Sequence, residues 1–152
     1  MLNVDLSGQD LPEELLVPAT TVIQLLNEDP PDWLPIGNLN VRFVDDKTIR
    51  ELNRKYSGQD KATDVLSFSY IEDGHAAGNE LGDIAISLET AERQAAEASN
   101  SLADELALLL LHAVLHIAGM DHAELAGQAA MDKLQSQILT AAGVKYRDFK
   151  WA

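Results

Sequence analysis

The 152-residue chain contains no cysteine. Disulfides, thiolate-held zinc, iron–sulfur clusters and thiol nucleophiles are excluded together, and the absence suits a reducing cytoplasm. Basic residues are scarce: 11 Lys and Arg stand against 25 Asp and Glu, a formal net charge of −14. A body so acidic, taken whole, repels nucleic acid and anionic membranes. Long apolar runs are missing as well. The longest, Leu106 to Met120, has 15 residues and includes two histidines, whereas a membrane span takes about 20 apolar residues. The opening residues, Met1-Leu2-Asn3-Val4-Asp5, have neither the basic nor the apolar stretch of a secretory signal. These absences predict a soluble, cytoplasmic protein with no membrane partner. The remaining composition, 46% hydrophobic and 24% charged, is that of an ordinary globular protein, and the length suits one domain over residues 1–152.

The few basic residues are unevenly placed. Residues 1–41 hold seven acids and no Lys or Arg, and residues 62–144 hold thirteen acids with only Arg93 and Lys133. Six of the eleven cations, Arg42, Lys47, Arg50, Arg54, Lys55 and Lys61, fall between 42 and 61 beside four acids. Lys145, Arg147 and Lys150 follow near the end, against Asp148. Two readings stay open for residues 42–61: a solvated helix face of mixed charge, or a local phosphate-facing patch on an acidic body.

Apolar spacing divides the chain into alternating short elements. Leu2, Val4 and Leu6 read as a strand, and Leu15 to Leu26 as a helix with Asp10 and Glu13 as its capping pair. Pro18 must start that helix or kink it. Leu39, Val41 and Phe43 alternate with polar residues in a half-buried strand, after which Asp45 or Asp46 caps a helix presenting Ile49, Leu52 and Tyr56 on one side. Thr63–Tyr70 and Leu81–Leu88 read as strands, separated by a loop over Gly74 to Gly78 that contains His75. Ser87 or Leu88 opens the next helix, and Asn100 or Ser101 the one after. That helix, about Leu102 to Ala118, is apolar almost all round and belongs at the centre of the fold. A last helix from about Leu125 to Ala142 turns Met131, Leu134 and Ile138 inward and stops at Gly143. Few strands among several helices give a mixed α/β or α+β layer. Trp33 and Trp151 read as packing residues.

Three of the four histidines stand within the segment His112-Ala113-Val114-Leu115-His116-Ile117-Ala118-Gly119-Met120-Asp121-His122. Side chains four apart on a helix are separated by about 40° around its axis, so His112 and His116 leave the same face one turn apart. Gly119 can end the helix in a left-handed conformation and return His122 over that face. Three neutral imidazoles with an open fourth position form the ligand set of a catalytic zinc ion, with copper, nickel or iron as the other metals imidazoles accept. The alternative, two buried histidines satisfied by hydrogen bonds, spends two polar rings in a Leu/Ala environment. The spacing also equals that of the metzincin proteases, H-E-x-x-H-x-x-G-x-x-H. Their general base is the glutamate after the first histidine, and here that residue is Ala113. A methyl group takes no proton from an attacking water, which argues against peptide hydrolysis.

Three motifs in order along residues 52–122 carry a resemblance to a known family. The histidine segment is similar to the pattern H-G-x-L-H-L-x-G-Y-D-H. Leu52-Asn53-Arg54-Lys55-Tyr56, continued by Asp60-Lys61-Ala62-Thr63-Asp64-Val65-Leu66-Ser67-Phe68, is similar to L-N-x-x-Y-R-x-K-D-x-x-T-D-V-L-S-F. Leu81-Gly82-Asp83-Ile84-Ala85-Ile86-Ser87 is similar to L-G-D-I-x-I-S. The chain thus resembles the YbeY-type (UPF0054) endoribonucleases of bacterial ribosomal RNA maturation. The resemblance implies an α+β fold with a small mixed sheet of about four strands flanked by helices, its central buried helix carrying the histidines. It implies one zinc ion on His112, His116 and His122, single-strand-specific cleavage in 16S rRNA 3′-end maturation and ribosome quality control, and RNA and ribosomal particles as partners. Arg54, Lys61 and Asp64 are the candidates for catalytic roles, and Asp64 or Asp83 for orienting a ligand histidine. Ser57 departs from the pattern, which has an arginine directly after the tyrosine. Two other functions stay open: a ribosome-associated assembly factor with a structural metal, and another metal-dependent hydrolase.

Overall fold

The computed structural model describes residues 1–72, 75–76, 78–120 and 125–147, and of residues 75, 125 and 126 the backbone alone. The elements run β1 (Leu2–Gly8), α1 (Glu13–Glu28), β2 (Gly37–Val44), α2 (Asp46–Ser57), β3 (Val65–Ser69), β4 (Ile71–Glu72), β5 (His75–Ala76), β6 (Glu80–Ser87), α3 (Leu88–Glu97), α4 (Leu102–Ile117) and α5 (Leu125–Ala141). The main sheet has the order β1-β2-β6-β3. Its first three strands are parallel, with Val4 beside Leu39 and Val41 beside Ile84, and β3 runs antiparallel at the edge with Leu66 beside Ala85. β4 and β5 pair as a separate short ribbon. The region from Gly74 to Gly78, read from sequence as loop, therefore contains a strand at His75–Ala76. Two bridging residues are too short to leave an alternation pattern.

Strand alternation decides what lies on each side. Leu39, Val41 and Phe43 of β2, with Ile84 and Ile86 of β6, face the main core, which α4 fills with Leu106 to Leu111 and which Val22 and Leu26 of α1 close. The intervening residues face α2, where Val44, Ile49 and Ala85 form a smaller cluster with Leu52 and Leu66. Tyr56, expected on the buried side of α2, is 59% exposed. The third inward position is instead Asn53, 4% exposed, whose Nδ2 donates to the Lys61 carbonyl at 3.0 Å. That bond pins the segment between α2 and β3.

Most helix ends follow their sequence signals. Asp45 accepts from Thr48 N–H at 2.8 Å and caps α2, and hydrogen bonds from the Thr48 side chain first and its backbone second hold the carboxyl below the usual range. Ser87 caps α3 and Ser101 caps α4. The start of α1 differs. Pro12 occupies the N-cap position without a side-chain bond, and Asp10 caps nothing. A helix capped by Asp10 would begin at Leu11, and the residue before a proline is driven out of the α region by the ring. Pro18 sits inside α1, which continues through it. Trp33 packs against the main core, as expected.

Among the described residues no single helix is long and apolar enough to cross a membrane. Twelve of the sixteen residues of α4 are buried within the fold instead.

Candidate functional site

α4 carries the histidines and is positioned at both ends. At its C-terminus Gly119 has φ +98°, Gly119 N–H donates to the His116 carbonyl and Met120 N–H to the Leu115 carbonyl, both at 3.0 Å. This pair of bonds is the Schellman arrangement, which turns the chain back after Ala118 as the glycine predicts. Ser69 Oγ of β3 also donates to the Ile117 carbonyl at 3.2 Å. Gly82 of β6 lets the helix approach, because a Cβ there would stand 2.7 Å from Ile117 Cδ1 and collide with the Phe68 carbonyl.

On this fixed helix His112 and His116 do share one face. Their rings lie 4.5 Å apart between centroids at 81°, and their Nε2 atoms approach to 3.0 Å. His112 is 4% exposed, and its Nδ1 lies 2.9 Å from Gln135 Oε1 on α5. An amide oxygen only accepts, so the bond places the proton on Nδ1 and leaves Nε2 as the lone-pair nitrogen. Two imidazole nitrogens this close either share a proton or share a cation. His122 and Asp121 lie outside the described residues, as do Lys150 and Trp151.

Gln135 is the residue that sequence reading misses. The inward stripe of α5 is Met131, Gln135 and Leu139, each at most 2% exposed, while Leu134 and Ile138 are only partly buried. A glutamine at i+4 between two apolar residues was the available signal. A Gln135→Leu variant should bind zinc about 10- to 100-fold more weakly, because the imidazole loses the partner that fixes its tautomer. Competition with a zinc chelator measures this, and unchanged affinity would leave Gln135 a packing residue.

The candidate carboxylates are engaged elsewhere. Asp64 Oδ1 accepts from Val65 N–H at 2.7 Å, and its Oδ2 lies 3.9 Å from the Arg147 guanidinium. Asp83 stands on the α2 face of the sheet, opposite α4, where Tyr70 OH and Asn40 Nδ2 donate to it. The bond to Asp83 holds the Tyr70 hydroxyl above its usual range. Neither carboxylate has a described bond to His112 or His116. Of the basic residues, Arg50 is occupied by Asp60 through two bonds of 2.8 and 3.3 Å. Arg54, Lys55 and Lys61 are exposed, and Arg54 and Lys55 line a groove with Arg42 beside α2. Sequence spacing therefore located the histidine pair, and the sheet separates it from Asp83.

Residues 10–143 match the family described as endoribonuclease YbeY. Curated relatives of that name include one from Moorella thermoacetica, 46% identical over 72% of this chain and 75% of its own length. Another, from Agrobacterium fabrum, is 37% identical over 94% of this chain and 90% of the relative. A solution structure of a Thermotoga maritima protein superposes with a TM-score of 0.65 at 26% identity, covering 91% of this chain and 88% of that one. The mixed four-stranded sheet, the helix order and these matches agree: the chain belongs to the endoribonuclease YbeY family.

Proposed function

We propose that this protein is a zinc-dependent endoribonuclease that cleaves single-stranded RNA in the cytoplasm, acting in 16S rRNA 3′-end maturation and ribosome quality control. The observation that carries the reading is the convergence of His112 and His116 Nε2 at 3.0 Å, with Gln135 fixing the tautomer. Nitrogens bound at ~2.0–2.1 Å in a tetrahedron stand about 3.3 Å apart, so the pair fits one transition-metal ion after a small opening. His112, His116 and His122 would hold it, and bound there it supplies Lewis-acid polarisation of a phosphoryl oxygen. Alanine at 113 supplies no base at the position directly after His112. Family membership supports the substrate class, and the exposed cations Arg54, Lys55 and Lys61 support contact with phosphate. Cleavage of a defined single-stranded RNA, and not its duplex, should stop with chelator and return with zinc. Chelator-insensitive cleavage would overturn the metal dependence.

Ser57, the last residue of α2, favours a second reading, a ribosome-bound factor with a structural metal. An arginine after Tyr56 would stabilise charge growing on the phosphoryl oxygens, and one such donor is worth roughly 10²–10³ in rate. A Ser57→Arg variant should raise single-turnover cleavage by at least about tenfold. Absence of cleavage from both proteins, with retained ribosome association, would favour the second reading.

A further inference from the structure

The sheet face away from α4 is only partly covered by α2. Beyond Ala85 it opens into a groove of about 560 Å³ whose lining includes Arg42, Leu52, Tyr56, Phe68, Tyr70 and Asp83. Tyr56 and Tyr70 are 59% and 44% exposed. The Tyr56 ring packs edge-on to Phe68 at 5.3 Å, and Lys55 Nζ stands 5.1 Å over it. Arg42 and Leu52 also line the adjoining groove of about 480 Å³, where Arg54 and Lys55 outnumber the single carboxylate, Glu51. Among the described residues, Arg42, Arg54 and Lys55 make no ion pair. An acidic chain has thus gathered unpaired cations and exposed aromatic rings along one concave surface.

We infer that this face is a binding site for single-stranded RNA, distinct from the histidine pair, with bases stacked on Tyr56 and Tyr70 and phosphates on Arg42, Arg54 and Lys55. The inference rests on the RNA reading given above and adds where the strand lies. Aromatic faces accept any base, and a flanking row of cations follows the backbone; this combination defines single-strand sites. A duplex keeps its bases stacked inside and has none to offer the tyrosines. Asp83 sets the direction. Its carboxylate repels phosphate, so the backbone lies on the Arg42–Arg54–Lys55 side and the bases toward Asp83, which accepts hydrogen bonds from amino groups. The groove also adjoins the site. Phe68 faces it from edge strand β3, while the next residue, Ser69, holds the end of α4 beside His116 on the other face. An RNA strand crossing that edge reaches both.

Binding of a cleavage-resistant, fully 2′-O-methylated single-stranded RNA to the zinc-reconstituted full chain tests this by fluorescence anisotropy across a salt series. Tyr56→Ala and Tyr70→Ala should each weaken binding about tenfold with the salt slope unchanged, and Tyr56→Phe should bind as wild type. Arg42→Glu should weaken binding and flatten the salt slope. Cleavage of a trinucleotide, too short to span groove and histidines, should be retained by all four. Equal affinity of wild type, Tyr56→Ala and Arg42→Glu, with cleavage intact, overturns the groove alone. Wild type that neither binds nor cleaves RNA overturns the RNA reading itself, and the groove with it. These exposed positions leave the core untouched. Should Tyr56→Ala fail to fold by circular dichroism, the Arg42→Glu salt slope decides the question.

Discussion

A His116→Ala variant should lose zinc and cleave RNA at least about 10³-fold more slowly while remaining folded. The ring sits on the last turn of α4, partly exposed, where alanine is an excellent helix former and leaves no large void. Lewis-acid stabilisation of a phosphoryl transition state is worth several kcal/mol, and about 4 kcal/mol corresponds to that factor. His112→Ala is the poorer test, because it strands Gln135 in the core as well and mixes stability with function. Elemental analysis after zinc reconstitution and single-turnover cleavage of the same preparation give the two readouts. Full zinc occupancy together with wild-type rate would show that the pair is not the metal site.

The second large effect belongs to Arg147. Its Nε donates to both oxygens of Glu105 at 2.7 and 3.1 Å, and another guanidinium nitrogen donates to Gln94 at 3.3 Å and lies near Asp64. One side chain after α5 thereby ties together α4, α3 and the start of β3. The Glu105 side chain is fully buried. Burial pushes its carboxyl above the ordinary 4.5, the Arg147 bonds oppose this, and the Asp64 charge adds to the rise. An Arg147→Met variant leaves that carboxylate buried without the guanidinium, a change that typically costs about 3–5 kcal/mol.

The loss should depend on pH with a definite sign. A carboxyl whose folded pKa lies above its unfolded value contributes stability below the unfolded pKa and loses it as pH rises through the folded one. Without Arg147 the folded value rises further, so the loss continues to higher pH than in wild type. The stability difference between the proteins should therefore be smallest near pH 4.5 and grow toward pH 8, at no more than about 1.4 kcal/mol per pH unit. Urea unfolding at several pH values measures it. A difference that stays below about 1 kcal/mol and flat across pH would mean that the ion pair contributes little.

Much of this protein is legible one residue at a time. The i, i+4 histidines, the glycine three residues later and the all-round apolar helix each follow from the 3.6-residue period, which acts within one element. The caps at Asp45, Ser87 and Ser101 are equally local, since a side-chain oxygen reaches a backbone N–H only two or three residues away. Where two local signals met, at Asp10 and Pro12, the steric rule of the proline prevailed over the hydrogen-bonding preference of the aspartate.

What the sequence left open depends on residues distant along the chain. Gln135 stands 23 positions from His112 and meets it only because α5 packs against α4. Arg147 lies 42 positions from Glu105, and nothing in either segment names the other. Asp83 and Asp64 carried the same motif-level promise of orienting a histidine. Strand register then placed Asp83 on the face away from α4, since a period of two sends neighbouring residues to opposite sides of a sheet. The cations of residues 42–61 were visible as a cluster. That Arg42 borders one groove with Tyr56 and Tyr70 and a second with Arg54 and Lys55, while Arg50 is held by Asp60, was decided by the way α2 crosses the sheet. Periodicity fixes which side of an element a residue occupies; only packing fixes what that side faces.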